Sequence, residues 1–432
     1  MEARKIKSVF LIFSLIPIFL LIFSFEKYII SLLLLYQIIS SLNLKEISLI
    51  ELDHLVSMFL LTFFVLNSIV YLLFYFGFVK IKLMERIIKK FSSSSKEFLS
   101  GFLMIILILF ITLNAPLISP IDPNFSKDVS ITKLLPPLSV MNYIQLKLNK
   151  YSTIEKNLIQ NKLLENFDEE RRIYFTDLEI KDSSLIIHKE RTKEILNIKE
   201  IETLNDKPVI KSQIFILGTD EFGRDLLSRL IYSIRLSVFI AVFSVLISFL
   251  LGSTIGYIAG IFGGLVDSLL MRLVDFFLSF PILFFVIFLI AFVGNSILLL
   301  VIVFGFSGWM YVARLARNET IACMKKEFIQ TLVLMGQTKF KIIIKHILPN
   351  TFSPILITLI FLMSNVIIAE SALSFIGLGI QPPTPTLGGI IKSGYDYLSI
   401  NGWIAFSASL TLVIIVMTFN LFAEGIRKIS RN

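Results

Sequence analysis

The sequence predicts an all-α protein that crosses a membrane several times and carries one small α+β insert outside it. Three observations carry this prediction. Of the 432 residues, 55% are hydrophobic and only 17% are charged, whereas soluble domains have about a quarter charged residues. The apolar residues fall into long runs, several near the roughly 20 residues that a helix needs to cross about 30 Å of hydrocarbon. Between two of these runs lies one long polar segment, from Pro120 to about Arg235.

Eight apolar runs are candidate membrane spans. They are Ser8–Phe25, Met58–Val79, Leu99–Ser119, Leu236–Ile261, Phe276–Val293, Ser296–Val312, Phe352–Ile376 and Trp403–Phe422. A ninth run, Ile29–Leu42, has only about 14 residues, which favours an interfacial or re-entrant segment over a crossing. The first run follows basic residues, as the core of a signal peptide does. It ends in "FSFEKY" without a small-residue cleavage site, which favours an uncleaved anchor.

Basic loops predict the orientation, because Lys and Arg are enriched in short cytoplasmic loops. The most basic stretches are Lys80–Lys96 and Arg314–His346, and the tail Arg427–Arg431 is also basic. Eight crossings from a cytoplasmic start place all three in the cytoplasm. Both termini are therefore predicted to be cytoplasmic in a multi-pass protein. The formal net charge of +9 is explained by these flanks, so no nucleic-acid partner is predicted.

The external segment is predicted to hold a folded insert of about 70 residues, from Met141 to Ser212, which is small for an enzyme. Leu148–Phe167 has the pattern of a helix. In "RRIYFTDLEIKDSSLIIHKERTKEIL" (Arg171–Leu196), two apolar-rich pieces flank "KDSS", which is typical of a β-hairpin.

The segment Arg314–His346 cannot lie in hydrocarbon, since its many charged side chains would cost more than about 20 kcal/mol there. Apolar residues nevertheless recur in it at steps of three and four, which predicts one amphipathic helix with a single stripe. These residues are Ile321, Met324, Phe328, Leu332 and Met335. Gly336 is predicted to end that helix in the left-handed conformation. A second short helix, Lys339–Ile347, is predicted to stop before Pro349. One interpretation is an interfacial helix with its apolar face among lipid headgroups.

The same stretch supports a second interpretation. "QTLVLMGQTKFKIIIKHILPN" (Gln330–Asn350) resembles the cytoplasmic coupling loop of binding-protein-dependent ABC importers. The family consensus is Glu-Ala-Ala, three residues, Gly, nine residues, Ile-x-Leu-Pro. Gly336, Leu348 and Pro349 match it with the right spacing. The triplet is replaced by Gln330, Thr331 and Leu332, and the Ile by His346, and peptide-importer members commonly read "His-Ile-Leu-Pro-Asn" there.

Four further stretches resemble the second permease subunit, the C-type, of dipeptide, oligopeptide and nickel importers. They are "LGTDEFGRDLLSRLIYSIRLS" (Leu217–Ser237), "MRLVDFFLSFP" (Met271–Pro281), "AESALSFIGLGIQPPTPTLGG" (Ala369–Gly389) and "NLFAEGIRK" (Asn420–Lys428). The resemblance covers about Leu99–Pro137 and Leu217–Lys428. The hairpin Ser8–Val79 and the insert depart from the family pattern.

This resemblance implies a type I ABC importer fold in a bacterial inner membrane, with about six family spans plus an extra N-terminal hairpin. The expected organisation is a hairpin with a basic linker (1–98), a first family span (99–119), an extracytoplasmic loop with the insert (120–216) and a five-span permease core (217–432) with its coupling loop (314–350). The expected partners are a second permease subunit, two P-loop ATPase subunits, an external solute-binding protein and lipid. No cofactor is expected on this chain, because Mg-ATP would bind the ATPase. The implied coupling residues are Phe328, Gln330, Thr331, Leu332, Gly336, His346, Leu348 and Pro349.

The remaining polar groups are interpreted structurally or left open. Gly218, Asp220, Gly223, Arg224 and Asp225 are expected to form a tight external turn with Arg224 as an ion partner, which by family analogy caps the translocation mouth. Glu370 lies late in an apolar span and is assigned either to the pathway or to helix packing. Arg272 and Asp275 are spaced for a local ion pair.

Other activities lack their residues in this sequence. A single cysteine, Cys323, rules out a cysteine-cluster metal site, and the histidines His54, His188 and His346 are too dispersed for a zinc site. The sequence has no P-loop and no catalytic set of a membrane enzyme. A secondary transporter, which would need its own coupling-ion site, and a membrane enzyme remain the alternatives.

Overall fold

Long apolar helices dominate the structure, as the sequence predicts. The structure is a computed structural model that describes residues 2–41, 49–75, 96–147, 171–181, 184–189, 192–204, 207–279 and 281–431. Two predicted segments, residues 80–95 of the basic linker and Leu148–Phe167 of the insert, lie outside the described residues. The chain divides into two compact units. The first comprises Met1–Ser92, Leu109–Arg235 and Pro383–Leu410, and the second comprises Ser93–Ile108, Leu236–Pro382 and Thr411–Asn432.

The helices follow in chain order. They are α1 (Glu2–Phe23), α2 (Phe25–Ser41), α3 (Leu49–Tyr75), α4 (Lys96–Leu113), α5 (Ala115–Ile118), α6 (Val129–Thr132), α7 (Leu226–Phe262), α8 (Gly264–Leu278), α9 (Ile282–Val293), α10 (Ile297–Met324), α11 (Glu327–Leu334), α12 (Lys339–Ile342), α13 (Leu348–Phe375), α14 (Leu387–Asp396) and α15 (Trp403–Arg431). A π-helical turn, Ile343–Ile347, joins α12 to α13.

Five helical stretches among the described residues are long and apolar enough to cross a membrane. They are Asp53–Leu72, Leu226–Phe262, Ile297–Met324, Lys339–Phe375 and Trp403–Ser430. A sixth crossing results if α1 and α2 form one broken span, since Phe13–Phe23 and Lys27–Leu33 meet at a bend of 72°. The apolar part of α4, Glu97–Leu113, is shorter. The prediction of a helical polytopic membrane protein is therefore confirmed, but the predicted number of eight spans is not: the described residues contain five, or six with the bent pair.

The predicted span Phe276–Val293 is wrong as a single helix. α8 ends at Leu278, and α9 begins at Ile282, directly after Pro281. Proline has no N–H to donate and disfavours helical geometry in the residue before it, which favours a break in the helical hydrogen bonds at this point. α8 and α9 are therefore separate elements.

In the first unit, α3 packs against the second half of α4 and against α5. Leu55, Met58 and Leu61 of α3 form a buried cluster with Phe110 and Leu117. The rings of Phe64 and Phe110 meet edge to face, with 5.0 Å between their centroids. The extra hairpin is thus a packed part of this unit.

The insert of the first unit is built from short antiparallel strands. They are β1 (Ser139–Gln145), β2 (Arg172–Phe175), β3 (Asp177–Lys181), β4 (Ser184–Lys189), β5 (Thr192–Asn197), β6 (Thr203–Leu204), β7 (Lys207–Pro208) and β8 (Ile210–Phe215). The strand orders are β2-β1-β8, β3-β4-β5 and β6-β7. The predicted hairpin is confirmed as β3–β4, in which Lys181 pairs with Ser184. Ile144, Ile173, Leu185 and Ile187 share one buried cluster, so the two larger sheets have a common core.

In the second unit, α7 and α10 approach closely because small residues line their contact. A Cβ atom added to Gly252 would lie 2.5 Å from the Trp309 carbonyl oxygen, and one added to Gly256 would lie 2.5 Å from the Ala313 carbonyl oxygen. The Ser248 hydroxyl donates to the Gly305 carbonyl at 2.7 Å. Such small-residue contacts allow backbones to approach within membranes, where no hydrophobic effect drives helices together.

Candidate functional site

The segment predicted as a coupling loop forms an elbow, which we define as residues 325–347. α11 ends just before Gly336, whose φ of +77° is left-handed. The Gly336 N–H donates to the Val333 carbonyl at 3.0 Å, and the Gln337 N–H donates to the Leu332 carbonyl at 3.1 Å. These two bonds are those by which a left-handed glycine closes a helix. The prediction that Gly336 ends the helix is confirmed.

The predicted single amphipathic helix leading to Gly336 is wrong. α10 ends at Met324 and α11 begins at Glu327, because Lys326 adopts an extended conformation between them. Each helix consequently turns its own side inward. Leu332 packs against the buried cluster of the second unit, whereas Met335 is 78% exposed. The five residues of the predicted stripe therefore do not share one face.

Three buried isoleucines anchor the elbow, one from each of its pieces. Ile329 of α11, Ile342 of α12 and Ile347 of the π-helical turn are at most 1% exposed. They share a cluster with Val312 of α10 and Ile355 of α13. Burying a side chain of this size contributes about 1.5–3 kcal/mol. The elbow is therefore fixed to the helices of its own unit.

The predicted stop before Pro349 is also wrong. α12, the π-helical turn and α13 form one continuous stretch, Lys339–Phe375. Pro349 falls in the first turn of α13, where its missing N–H and fixed φ are tolerated. The wider π-helical turn before it changes the register of the backbone bonds. Of the two helix ends predicted here, the one at Gly336 is present and the one before Pro349 is absent.

Large apolar side chains project from the elbow into the surroundings. We call this set the apolar ridge: Phe328, Leu334, Met335, Phe340 and Ile344, all more than 45% exposed. Lysines flank it, and all five of them are exposed: Lys325, Lys326, Lys339, Lys341 and Lys345. Exposed apolar side chains with charged neighbours are typical of an interaction surface. The sequence did not predict Leu334, Phe340 or Ile344, since they fall outside the three- and four-residue steps of the expected stripe.

Two predicted coupling residues from opposite ends of the elbow meet. The rings of Phe328 and His346 contact edge to face, with centroids 6.2 Å apart. The His346 carbonyl accepts a hydrogen bond from the Asn350 side chain at 2.7 Å. Of the other predicted residues, Gln330, Thr331 and Pro349 are exposed, and Leu332 and Leu348 are partly buried. Two of the three residues that replace the Glu-Ala-Ala triplet, Gln330 and Thr331, therefore lie on the exposed side of α11.

Two ion pairs join α8 to α10 in the second unit. Arg317 donates two hydrogen bonds to the Asp267 carboxylate, one from Nε and one from Nη2, each at 2.5 Å. This hydrogen-bonded partner lowers the pKa of Asp267. Asp275 pairs with Arg314, so the predicted local pair of Arg272 with Asp275 is wrong. The sequence carried no signal for either pair, because the partners come from different helices.

The predicted tight turn is confirmed in the first unit. Gly218 and Gly223 have φ of +77° and +73°. The Asp220 carboxylate accepts the backbone N–H of Arg224 at 3.0 Å and the side-chain Nε of Arg224 at 2.7 Å. Arg229 of α7 also lies 3.3 Å from it. Because Asp220 is 3% exposed, this carboxylate is committed to holding the turn.

Asp225 caps the N-terminus of α7, which begins at Leu226. Its Oδ2 accepts the Ser228 N–H at 2.8 Å and the Ser228 hydroxyl at 2.6 Å. This is the bonding of a helix N-cap. Burial raises the pKa of Asp225. The predicted members of the turn thus divide between an ion pair and a helix cap.

Glu370 is fully buried between two helices of the second unit. It accepts the Ser374 hydroxyl of α13 at 2.7 Å and lies 3.2 Å from the Ser237 hydroxyl of α7. Of the two roles left open for it, these contacts favour packing. Ser237 was not predicted, although its place among the motif residues Leu217–Ser237 could have drawn attention to it.

Comparisons with known proteins identify the family of the chain. Residues 252–431 match the family described as "Binding-protein-dependent transport system inner membrane component". The oligopeptide transport system permease protein OppC of Salmonella typhimurium is 35% identical over 210 residues, which are 49% of this chain and 70% of that protein. The di/tripeptide transport system permease protein DppC of Pseudomonas aeruginosa is 34% identical over 213 residues, again 49% and 70%.

One solved structure covers a similar share of the chain. An inward-facing conformation of the MetNI methionine ABC transporter is 17% identical and covers 47% of this chain and 97% of that one, with a TM-score of 0.40. The family assignment comes from the sequence relatives. At their identity and coverage, the chain belongs to the inner-membrane permease subunits of binding-protein-dependent ABC importers.

Proposed function

We propose that this chain is one of two permease subunits of an ATP-driven importer of peptides, and that its elbow docks on a separate P-loop ATPase. Support for peptides comes from the OppC and DppC relatives, whose names specify oligopeptide and di/tripeptide transport. Support for docking comes from the elbow itself, whose motif resembles the family coupling loop. ATP-driven closure of the ATPase pair then changes the permease from inward- to outward-facing.

The observation that carries this proposal is the division of the elbow into an anchored side and an exposed side. Ile329, Ile342 and Ile347 fix it to its own unit. A movement of the elbow is therefore transmitted to α13 through these buried contacts. The apolar ridge supplies an apolar contact area, and the flanking lysines favour a groove with an acidic rim. Both requirements are those of a coupling element.

The proposal also assigns sides and partners. The elbow and both termini face the cytoplasm, and the insert and the Asp220 turn face outward, where a solute-binding protein delivers its solute. The turn caps the translocation mouth. A second permease subunit completes the pathway, and ATP with magnesium binds the partner ATPases.

The test is purification of the tagged chain in mild detergent, followed by mass spectrometry of the proteins that copurify. We expect a second permease subunit and a P-loop ATPase, with the ATPase lost on Gly336→Pro, because proline cannot adopt a φ of +77°. Gly402→Ala is the matched control, since a Cβ atom there makes only ordinary contacts at 3.6 Å.

A chain that purifies alone and still transports would contradict the proposal. The elbow would then be an interfacial helix resting on lipid. Retention of the ATPase and of transport-stimulated ATP hydrolysis in Gly336→Pro would contradict the docking role while leaving the family unchanged.

A further inference from the structure

A cavity of about 400 Å³ lies among α7, α8, α10 and α13 of the second unit. Its walls are mostly apolar, with Phe277 and Leu362 among them. Four polar side chains also line it: Ser248, Ser307, Tyr311 and Asn365. No Asp, Glu, Lys or Arg is among its lining residues. The cavity is therefore mostly apolar, with a few uncharged polar groups on its walls.

Two of the four polar side chains lie near the middle of apolar runs: Ser248 in Leu236–Ile261 of α7 and Asn365 in Phe352–Ile376 of α13. Ser307 and Tyr311 lie toward the end of the apolar run of α10 that leads to Arg314. At 1.5 Å per residue, Asn365 is about 15–20 Å from either end of the apolar run that contains it. Three helices thus bring uncharged polar groups from their apolar runs to one cavity.

The hydrogen-bonding capacity of these groups is only partly used. The Ser248 and Ser307 hydroxyls donate to the Gly305 and Phe304 carbonyls at 2.7 and 2.6 Å. Within the described part of the chain, neither the Asn365 amide nor the Tyr311 hydroxyl has a hydrogen-bond partner. Both residues are exposed, Tyr311 by 57%. An unpaired amide in hydrocarbon is costly, so polar residues within apolar runs face such a cavity rather than lipid.

We propose that this cavity is the chain's part of the solute pathway, and that Asn365 and Tyr311 hydrogen-bond to the main-chain amides of a passing peptide. This inference rests on the proposed function. A side-chain amide has one donor and one acceptor group, as the peptide unit has, so the two pair directly. Phe277, Phe304 and the Tyr311 ring offer apolar contacts to side chains. With no fixed charge on its walls, the cavity selects the peptide backbone and passes side chains of either charge.

The first test measures water access. In a Cys323→Ala background, Asn365→Cys and Leu250→Cys are each treated in membranes with a charged, membrane-impermeant thiol reagent. Leu250 is the matched control, because it is 55% exposed near the middle of α7 but does not line the cavity. We expect the thiol at position 365 to react at least tenfold faster. Equal rates at the two positions, or no reaction at position 365, would overturn the inference.

The second test measures selectivity in cells that express the whole importer. Asn365→Asp and Asn365→Lys place opposite charges in the cavity. We expect the ratio of uptake of a cationic to an anionic tripeptide to rise at least threefold in the first variant and to fall at least threefold in the second. An unchanged ratio in both variants, with normal amounts of protein in the membrane, would overturn the inference alone. Absence of ATP-dependent tripeptide uptake by the unsubstituted importer would instead contradict the proposed function.

Discussion

Asp53 and Arg235 form a two-pronged ion pair between the N-terminal helix α3 and the span α7. The Arg235 Nη1 donates to one carboxylate oxygen at 2.6 Å and Nη2 donates to the other at 2.5 Å. Arg235 belongs to a stretch that resembles the permease family, whereas Asp53 belongs to the hairpin that departs from it. The Ser57 hydroxyl adds a bond to the Leu113 carbonyl at 2.9 Å. The hairpin is therefore tied to the permease at defined points.

Substituting Asp53 tests how much this tie contributes. We expect Asp53→Asn to lower the free energy of unfolding by about 1–3 kcal/mol, because Arg235 loses the partner of a partly buried pair. The measurement is the thermal unfolding midpoint in detergent. Asp396→Asn is the control, since Asp396 is an exposed aspartate of the same unit. If the two variants unfold at the same temperature, the ion pair of Asp53 and Arg235 does not contribute to the stability of the fold.

The contact of α7 with α10 gives a second prediction. A Cβ atom at Gly256 would lie 2.5 Å from the Ala313 carbonyl oxygen and 2.7 Å from the Ala316 Cβ. Gly256→Ala must therefore separate the helices, at a cost of about 1–3 kcal/mol. The same exchange at Gly402, where a Cβ atom would make only ordinary contacts at 3.6 Å, should change the unfolding midpoint little. A normal midpoint for Gly256→Ala would mean that the two helices do not pack this closely in the membrane.

These helices also show how far the sequence predicts the fold. Apolar runs predict the long helices because a helix that crosses lipid must be mostly apolar along its whole length. Gly336 and the Asp220 turn were predictable because positive φ and short-range carboxylate bonds leave a local signature. The break at Pro281 was missed since apolar composition on both sides of the proline concealed it.

The candidate site was less predictable, for a physical reason. The coupling motif located the elbow, but the inward and outward faces of α11 depend on how Lys326 redirects the chain. The partner of Asp275 is Arg314 rather than Arg272, because packing of α8 on α10 decides which charges meet. Long-range pairings of this kind leave no pattern in a single sequence.

The pair of Asp267 and Arg317 gives a prediction about acid. The hydrogen bonds from Arg317 lower the pKa of Asp267 in the folded protein, so the folded state binds this proton more weakly than the unfolded state. The resulting stabilisation is complete above the unfolded pKa, about 3.9, and is lost as pH falls through the folded value.

Asp267→Asn should therefore unfold at a lower temperature than the unsubstituted protein at pH 7, with a difference that shrinks below about pH 4. The measurement is the unfolding midpoint as a function of pH in detergent. Asp396→Asn again serves as the control, and its difference from the unsubstituted protein should stay small throughout. A difference for Asp267→Asn that is constant down to low pH would mean that the carboxylate charge contributes nothing.

The apolar ridge gives the last prediction, which separates docking from folding. Phe340 is 71% exposed, so Phe340→Asp should change the free energy of unfolding by less than about 0.5 kcal/mol. It should nevertheless reduce the amount of ATPase that copurifies about tenfold, because a charge would be buried in the docked surface.

Leu398→Asp is the matched control for the ridge. Leu398 is a comparably exposed apolar residue, at 56%, that lies outside the ridge, so its substitution should leave the ATPase bound. Raising the salt concentration should weaken the interaction of the unsubstituted elbow, because salt screens the attraction between its exposed lysines and the acidic rim proposed for the ATPase, with a screening length of about 10 Å at 0.1 M ionic strength. If both aspartate variants retain equal amounts of ATPase, the ridge is not the docking surface, and its apolar side chains rest against lipid instead.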